Sequence, residues 1–146
     1  MLRPLTLSAL AATSAALLAS CAPMAQASAN AEALTPDQLA LLDRNLSGKE
    51  AGSPVSCINS TVADQTIRVS DNILLYRVSG RLVYKNELRG GCPGLSRDND
   101  VIVSEIRGPG PCRGDIIHLV DRTTGIRGPS CVLGDFTPYR TAGNAD

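Results

Sequence analysis

The chain has 146 residues and carries 14 basic and 14 acidic side chains, so its formal net charge at neutral pH is zero. This balance argues against the strongly basic surface that nucleic-acid binding requires, and we expect no nucleic-acid partner. Three Tyr, one Phe and no Trp predict an aliphatic core, with few aromatic surfaces for stacking bases or sugars.

The N-terminal segment has the composition of an export signal. Arg3 and the terminal amine give it a positive start, and an uncharged run rich in Ala and Leu extends from Leu5 to Ala19. This run is shorter than the roughly 20 apolar residues that a membrane helix needs, but it is typical of a secretory signal. We therefore predict a signal peptide over residues 1–20.

Two cleavage sites compete at the end of this segment. Leu18-Ala19-Ser20-Cys21 resembles the lipobox of bacterial lipoproteins, in which the cysteine becomes the lipid-bearing first residue. Cleavage after Ala25-Gln26-Ala27 would instead remove Cys21. We favour lipidation of Cys21, because several acyl chains anchor a protein stably where one does not. Ala22 replaces the aspartate typical of inner-membrane retention, so we expect a periplasmic protein tethered to the outer membrane. The alternative is a soluble periplasmic or secreted protein.

The next segment predicts a tether followed by a helix. Ser28 to Ala33 are small and polar, and we predict a flexible tether over residues 21–34. Thr35 can act as N-cap, Pro36 suits the first helical position, and Gln38 completes a capping box. The pattern predicts a helix over residues 36–47.

The leucine spacing predicts which face of this helix is buried. Leu39, Leu42 and Leu46 follow at helical intervals and are expected to pack on the domain behind. Gly48 is a plausible C-terminal stop. Residues 48–54 are expected to form a loop.

Alternating apolar residues and short turns predict β-structure in the rest of the chain. Ser79-Gly80 has the length of a hairpin connection, and a turn is expected over residues 125–129. The sequence therefore predicts a mainly β domain over residues 35–141, a small antiparallel barrel or sandwich of five or six short strands with one N-terminal helix. An open sheet with the helix across one face is the alternative. The predicted strands cover residues 66–70, 73–78, 81–87, 101–103, 115–121 and 130–133.

Four cysteines remain in this domain, and an even number in a small exported chain indicates two disulfides. Three pairings are possible, and the spacing alone does not choose between them. We favour Cys92–Cys112 with Cys57–Cys131, because Cys92 and Cys112 both lie in loops rich in Gly and Pro. A zinc site is the alternative, but no Cys-x-x-Cys pair is present, and we expect no metal site.

Few residues suggest chemistry. His118 is the single histidine and shares a strand face with Ile116 and Val120, so we expect a packed or rim residue rather than a catalyst. No nucleophile elbow or phosphate-binding loop is present. We therefore assign no catalytic or cofactor-binding residue and expect no cofactor. Paired carboxylates of the glycosidase type stay open, because their pairing is spatial.

Two short motifs are read as loops. Asp98-Asn99-Asp100 could begin a calcium site, but the other ligands of the EF-hand pattern are missing. Arg113-Gly114-Asp115 spells an adhesion tripeptide, and such matches are common by chance. We expect Asp115 to turn or cap the chain as it enters the next strand.

The blocks around the four cysteines carry a resemblance. They are similar to those of a family of uncharacterised small exported proteins of Gram-negative bacteria, classed as a domain of unknown function. The likeness covers roughly residues 54–139. It implies a shared fold and an envelope location, and it carries no activity, cofactor or site residue. The blocks are Pro54-Val55-Ser56-Cys57-Ile58, Gly91-Cys92-Pro93-Gly94-Leu95, Cys112-Arg113-Gly114-Asp115-Ile116 and Cys131-Val132-Leu133-Gly134-Asp135-Phe136.

These observations favour a non-enzymatic binding or structural module of the cell envelope, whose partner is an envelope protein or surface. The lipid on Cys21 would add a membrane contact. One alternative is an inhibitor of a secreted hydrolase, because the rigid loop over residues 108–112 suits insertion into a cleft. Another is a small enzyme that depends on carboxylates.

Overall fold

The computed structural model describes residues 33–59, 65–106 and 108–143. The predicted signal peptide over residues 1–20, the lipidation site Cys21 and most of the predicted tether over residues 21–34 lie outside them. Within the described ranges the fold is mainly β, with one helix near the N-terminus. The elements are α1 (Pro36–Leu46), β1 (Lys49–Ala51), β2 (Gln65–Ser70), β3 (Ile73–Arg77), β4 (Leu82–Glu87), β5 (Asp100–Glu105), β6 (Ile116–Asp121), β7 (Arg127–Val132) and β8 (Phe136–Thr141).

The strands form two antiparallel sheets, which confirms the predicted sandwich in preference to a barrel. The five-stranded sheet has the order β1-β8-β4-β3-β2, and the three-stranded sheet has the order β5-β6-β7. Their facing sides form one core, to which the large sheet contributes Leu74, Tyr76 and Phe136 and the small sheet Ile117 and Leu119. The Tyr76 and Phe136 rings meet edge to face, with 5.5 Å between their centroids. Burial in this core raises the pKa of the Tyr76 hydroxyl.

The helix covers the other face of the five-stranded sheet. The capping box is confirmed: the Gln38 N–H donates to Thr35 Oγ1, and the Thr35 N–H donates to Gln38 Oε1. The predicted apolar face is partly wrong, because Leu39 is 54% exposed. Leu41 takes its place beside Leu42 and Leu46, and the three pack against a second cluster built on Val69, Leu75 and Val83.

Two strands were not predicted. Residues 48–54 were expected to be a loop, but Lys49–Ala51 pairs with β8. Strand β8 contains Pro138 and lies between β1 and β4. Proline is usually absent from a strand with two neighbours, because it has no N–H to donate to the ladder. Pro138 is tolerated because β1 ends beside it, and its carbonyl still accepts from the Gly52 N–H at 2.8 Å. Strand β7 also begins earlier than expected, at Arg127, inside the predicted turn.

All four domain cysteines form disulfides, as predicted, but the favoured pairing is wrong. The bonds are Cys57–Cys112 and Cys92–Cys131. The Gly/Pro-rich loops that carry Cys92 and Cys112 are not joined to each other. Cys131 lies on β7 of the three-stranded sheet, and Cys92 lies in the segment that follows β4 of the five-stranded sheet. Cys57 and Cys112 lie in the segments between β1 and β2 and between β5 and β6. Each disulfide therefore joins a segment attached to one sheet to a strand or segment of the other.

Strand register explains this pairing. Cys57 lies antiparallel to Cys112, because the Ile58 N–H donates to the Pro111 carbonyl at 3.0 Å. Cys92 follows β4 and Cys131 lies on β7, and both are buried in the core between the sheets. The pairing therefore depends on contacts between distant segments, which the spacing of the cysteines does not encode.

Candidate interaction surface on the three-stranded sheet

The two faces of the three-stranded sheet have different surroundings. Ile102, Ile117, Leu119 and Cys131 point towards the five-stranded sheet and pack in the core. The alternate residues point away from it, because side chains alternate along each strand. We call them the outer face. In the three rows that the register sets, the outer face consists of Glu105, Ile116 and Val132; Val103, His118 and Ser130; and Val101, Val120 and Arg127.

His118 lies at the centre of the outer face and is only 6% exposed. Its Nδ1 is 2.8 Å from Ser130 Oγ, and its Nε2 is 2.8 Å from Glu105 Oε1. Ser130 is its direct cross-strand neighbour on β7, and Glu105 lies diagonally across on β5. The prediction of a packed or rim histidine is confirmed, and its partners come from both flanking strands.

Arg127 extends this cluster. Its Nη1 lies 3.6 Å from Glu105 Oε1 and 3.4 Å from His118 Nε2. Glu105 therefore accepts from the imidazole on one side and faces a guanidinium on the other. Because both charged side chains are at least half exposed, this ion pair contributes little to the stability of the fold. Its effect is to fix the position of a buried imidazole beneath an otherwise aliphatic surface.

The direction of the hydrogen bonds follows from the partner groups. An ionised carboxylate only accepts, so Nε2 of His118 carries the proton that is donated to Glu105. Nδ1 accepts from the Ser130 hydroxyl in the neutral imidazole and donates to it in the imidazolium. Serine hydrolases use the same three groups with the ring nitrogens exchanged, because there Nε2 faces the serine and Nδ1 faces the carboxylate. Here, however, Ser130 lies on the surface of a sheet. The concavity of about 160 Å³ beside Glu105 is lined by Gly114, Asp115 and Ile116, and not by Ser130.

The rest of the outer face is aliphatic and partly exposed. Val101, Val103 and Ile116 are 36%, 42% and 37% exposed, and Val120 and Val132 are half-buried beside them. A contiguous group of exposed β-branched side chains on one sheet face marks a contact surface more often than isolated apolar residues do. The outer face is thus an apolar surface crossed by a single polar cluster, with His118 at its centre and Glu105 and Arg127 at its rim.

A second concavity lies on the five-stranded sheet, where it is lined by residues of β4 and β8 and by none of α1. It has a volume of about 340 Å³, and Glu87 and Asp135 both line it. Each carboxylate is already paired, Glu87 with Lys85 at 2.7 Å and Asp135 with Arg113 at 3.1 Å. Partial burial lowers the pKa of Lys85, but the Glu87 carboxylate and the Tyr139 hydroxyl outweigh this effect and leave that pKa raised.

The other motifs singled out in the sequence serve local structure. Asn99 Nδ2 donates to Asp121 Oδ2, and Asp121 also accepts from the backbone of the turn that joins β6 to β7. Asp115 Oδ2 accepts from the Cys112 N–H at 2.8 Å, so Asp115 caps its turn as expected. Arg113, the first residue of the adhesion tripeptide, pairs with Asp135.

Among the described residues, no three His, Cys, Asp or Glu side chains are placed to hold a metal ion together. In the same part of the chain, no helix has the length and apolar character to span a membrane. The two disulfides are compatible with a protein that works outside the cytoplasm.

The sequence pointed to His118 but not to its partners. Glu105 lies two residues beyond the predicted strand over residues 101–103, and Ser130 lies at the start of another. Arg127 fell in a predicted turn. Only the register of β5 and β7 on β6 brings these side chains together. The alternation of β6 was the available signal, since it placed His118 on one strand face with Ile116 and Val120, but it did not say which face is the core.

Comparisons with known proteins add no relative to this picture. No protein-family model matches the chain, and neither a curated protein nor a solved structure was found to be similar. The resemblance to a family of small exported proteins therefore stays a prediction.

Proposed function

We propose that this chain is a non-enzymatic binding module of the bacterial cell envelope, which contacts a protein partner through the three-stranded sheet. The observation that carries the proposal is the outer face, an exposed aliphatic surface on a sheet whose other side is sealed in the core. Val101, Val103 and Ile116 supply the apolar area. The partly exposed Glu105 and Arg127 supply polar groups at its rim, as is typical of protein interfaces.

The contrast between the cross-linked body of the molecule and the exposed outer face supports this role. The disulfides and the five-stranded sheet form a cross-linked scaffold, so little conformational entropy would be lost when the outer face is covered. A rigid scaffold that presents a flat apolar surface suits protein contact better than it suits a small ligand, which needs a concave site.

The proposed compartment follows from the leader and the cysteines together. We propose that the signal peptide is removed and that Cys21 is lipidated, which tethers the domain to the outer membrane. Labelling of cells with an alkyne fatty acid tests this step, with Cys21→Ala as the matched variant. We expect label on the native chain and none on Cys21→Ala, whereas an unlabelled native chain would restrict the proposal to a soluble exported protein.

Site-specific photocrosslinking in cells tests the binding surface. A photoreactive amino acid at Val103 reports on the outer face, and the same probe at Leu39 is the control, because that leucine is apolar and exposed on the helix side of the molecule. We expect an adduct of defined mass from position 103 that is absent from position 39. Identical patterns at both positions, or no adduct at either, would contradict the proposal.

A further inference from the structure

The described residues form two sheets with four edge strands, β1, β2, β5 and β7. An edge strand presents unpaired backbone donors and acceptors and can pair with another chain, so natural proteins protect such edges with short length, bulges, charges or proline. Of these four edges, β1, β2 and β7 carry such protection, and the centre of β5 does not.

Three edges carry recognisable protection. Strand β1 is only three residues long. Strand β2 has a register shift between Arg68 and Ser70 and carries an arginine within it. Strand β7 contains Pro129, has its own register shift, and its Val132 carbonyl is already bonded to the Arg89 N–H at 2.9 Å.

Strand β5 has none of these features over its centre. It is six residues long, contains no Lys, Arg or Pro, and keeps a continuous register with β6. Its two charged residues, Asp100 and Glu105, lie at its ends. Val101 and Val103 are among the exposed apolar residues of the outer face.

The hydrogen bonds of β5 show which backbone groups face outward. The Arg122 N–H donates to the Asn99 carbonyl, so Asn99 and the odd-numbered residues after it bond to β6. The even-numbered residues point to the open edge. The guanidinium of Arg68 already binds the outward carbonyl of Asp100. Among the described residues, the outward backbone groups of Ile102 and Ser104 have no partner and are the positions open to pairing.

We propose that a second copy of this chain pairs with this edge, β5 against β5 in antiparallel orientation, with Val103 on the two-fold axis. This inference rests on the proposed function and names a partner for the same sheet. In this register Ile102 of each copy exchanges hydrogen bonds with Ser104 of the other, and the two three-stranded sheets become one sheet of six strands.

The edge is complementary to itself in this register. The two Val103 side chains meet on the outer face, where non-hydrogen-bonded pairs bring side chains closest. Val101 lies opposite Glu105 of the second copy, so no like charges face each other. The contact is isologous and uses up both β5 edges, while the β7 edges left outside are protected. The assembly therefore stops at a dimer.

Sedimentation equilibrium of the purified full chain over a dilution series tests the dimer. Val103→Lys places two ammonium groups together at the axis, and Ile126→Lys is the control, since Ile126 is 68% exposed in the turn beyond β6. We expect the native chain and Ile126→Lys to show twice the monomer mass. We expect Val103→Lys to weaken association at least tenfold, with the melting temperature that the native chain shows at high dilution, where it is a monomer.

Two further variants test the register. Ser104→Pro removes only an outward N–H, so it leaves the bonds to β6 in place and is expected to yield a folded monomer, whereas Ser104→Ala still dimerises. Val103→Cys combined with Cys21→Ala is expected to form a covalent dimer on mild oxidation, because the two copies meet at residue 103 and the four domain cysteines are already in disulfides. A dimer that survives Ser104→Pro, or that gives no covalent dimer with Val103→Cys, overturns pairing through β5.

The outcomes separate this inference from the proposed function. A native chain that remains monomeric at about 1 mM overturns the dimer. If the probe at position 103 still captures a protein of a different mass in cells, the proposed function stands without it. If neither experiment gives a contact, both proposals fail.

Discussion

The two sheets are built by the same alternation of residues but end in different surroundings. The five-stranded sheet is covered by the helix on one face and by the small sheet on the other, so Leu74 and Leu75, which point in opposite directions, are both fully buried. The three-stranded sheet is covered on one face only, and its outer face keeps exposed valines around His118. The five-stranded sheet is therefore buried on both faces, whereas the three-stranded sheet leaves one face open to solvent.

The largest expected effect comes from removing the buried disulfide between Cys92 and Cys131. Replacing Cys92 and Cys131 by Ala removes a cross-link that closes a loop of 39 residues, worth about 4 kcal/mol in the chain-entropy model. It also removes two sulfurs packed in the core. We expect the free energy of unfolding in urea to fall by more than about 4 kcal/mol.

The other disulfide is the matched control. The bond between Cys57 and Cys112 closes a loop of 55 residues, so its entropic contribution is similar, but Cys57 is exposed. We expect its removal by Ala substitution to cost less than removal of the buried pair. The reverse order would show that the core between the sheets is not packed as described.

A second prediction compares the two faces of one strand. Leu119→Ala empties a buried position between the sheets and is expected to cost about 3 kcal/mol. Ile116→Ala, three residues earlier on the outer face, is expected to cost less than about 1 kcal/mol, because Ile116 is already 37% exposed. Equal losses in urea denaturation would mean that the outer face is covered within the monomer.

A third prediction concerns pH and the turn between β2 and β3. Partial burial raises the pKa of Asp71, but hydrogen bonds from the Gly94 N–H and from the Ser96 hydroxyl and N–H outweigh burial, with help from Arg97, and leave the pKa lowered. A carboxyl whose folded pKa is depressed stabilises the fold above its unfolded pKa, near 3.9. This contribution is lost as the pH falls through the folded value.

We therefore expect the free energy of unfolding to decline as the pH falls below about 4. Asp71→Asn is expected to be less stable than the native chain at pH 7, by about 1.5 kcal/mol, with a smaller difference at pH 2. Asp121 also has a lowered pKa, owing first to the Thr124 N–H and hydroxyl, so part of the decline is expected to remain in Asp71→Asn. A constant difference between the two proteins from pH 7 to pH 2 would contradict this explanation.

The smallest expected effect concerns Ser130. The proposed function predicts that a fluorophosphonate probe does not label it, although His118 and Glu105 align with its hydroxyl. Labelling is measured by intact mass against a serine hydrolase as positive control, with Ser130→Ala as the matched variant. An adduct on the native chain that is lost in Ser130→Ala would show a reactive serine and replace the binding module with an enzyme.

The parts of the fold that depend on residues close together in the chain could be predicted from the sequence. The capping box at Thr35 and Gln38 and most of the strands are written in local sequence, because caps and alternation involve residues a few positions apart. That His118 shares a strand face with Ile116 and Val120 followed from the same alternation.

The parts that depend on register could not. The disulfide pairing, the arrival of Glu105 and Ser130 beside His118, and the position of β8 all result from contacts between distant segments. Leu41 replaced Leu39 on the packed face because the sheet surface, and not the helix alone, decides which leucines are covered. Pro138 argues against a central strand at β8 when only the sequence is considered. It is accepted in β8 because β1 is short and ends beside it.

Hydrogen exchange at single amides tests most directly whether the edge of β5 pairs with a second copy of the chain. The probes are the outward N–H groups of Ile102 and Ser104. Their exchange rates are measured by NMR in the full chain at two protein concentrations. Protection that rises with concentration and disappears in Val103→Lys, while the amide of Leu75 stays protected throughout, is the predicted result. Rapid exchange of Ile102 and Ser104 at every concentration would contradict it.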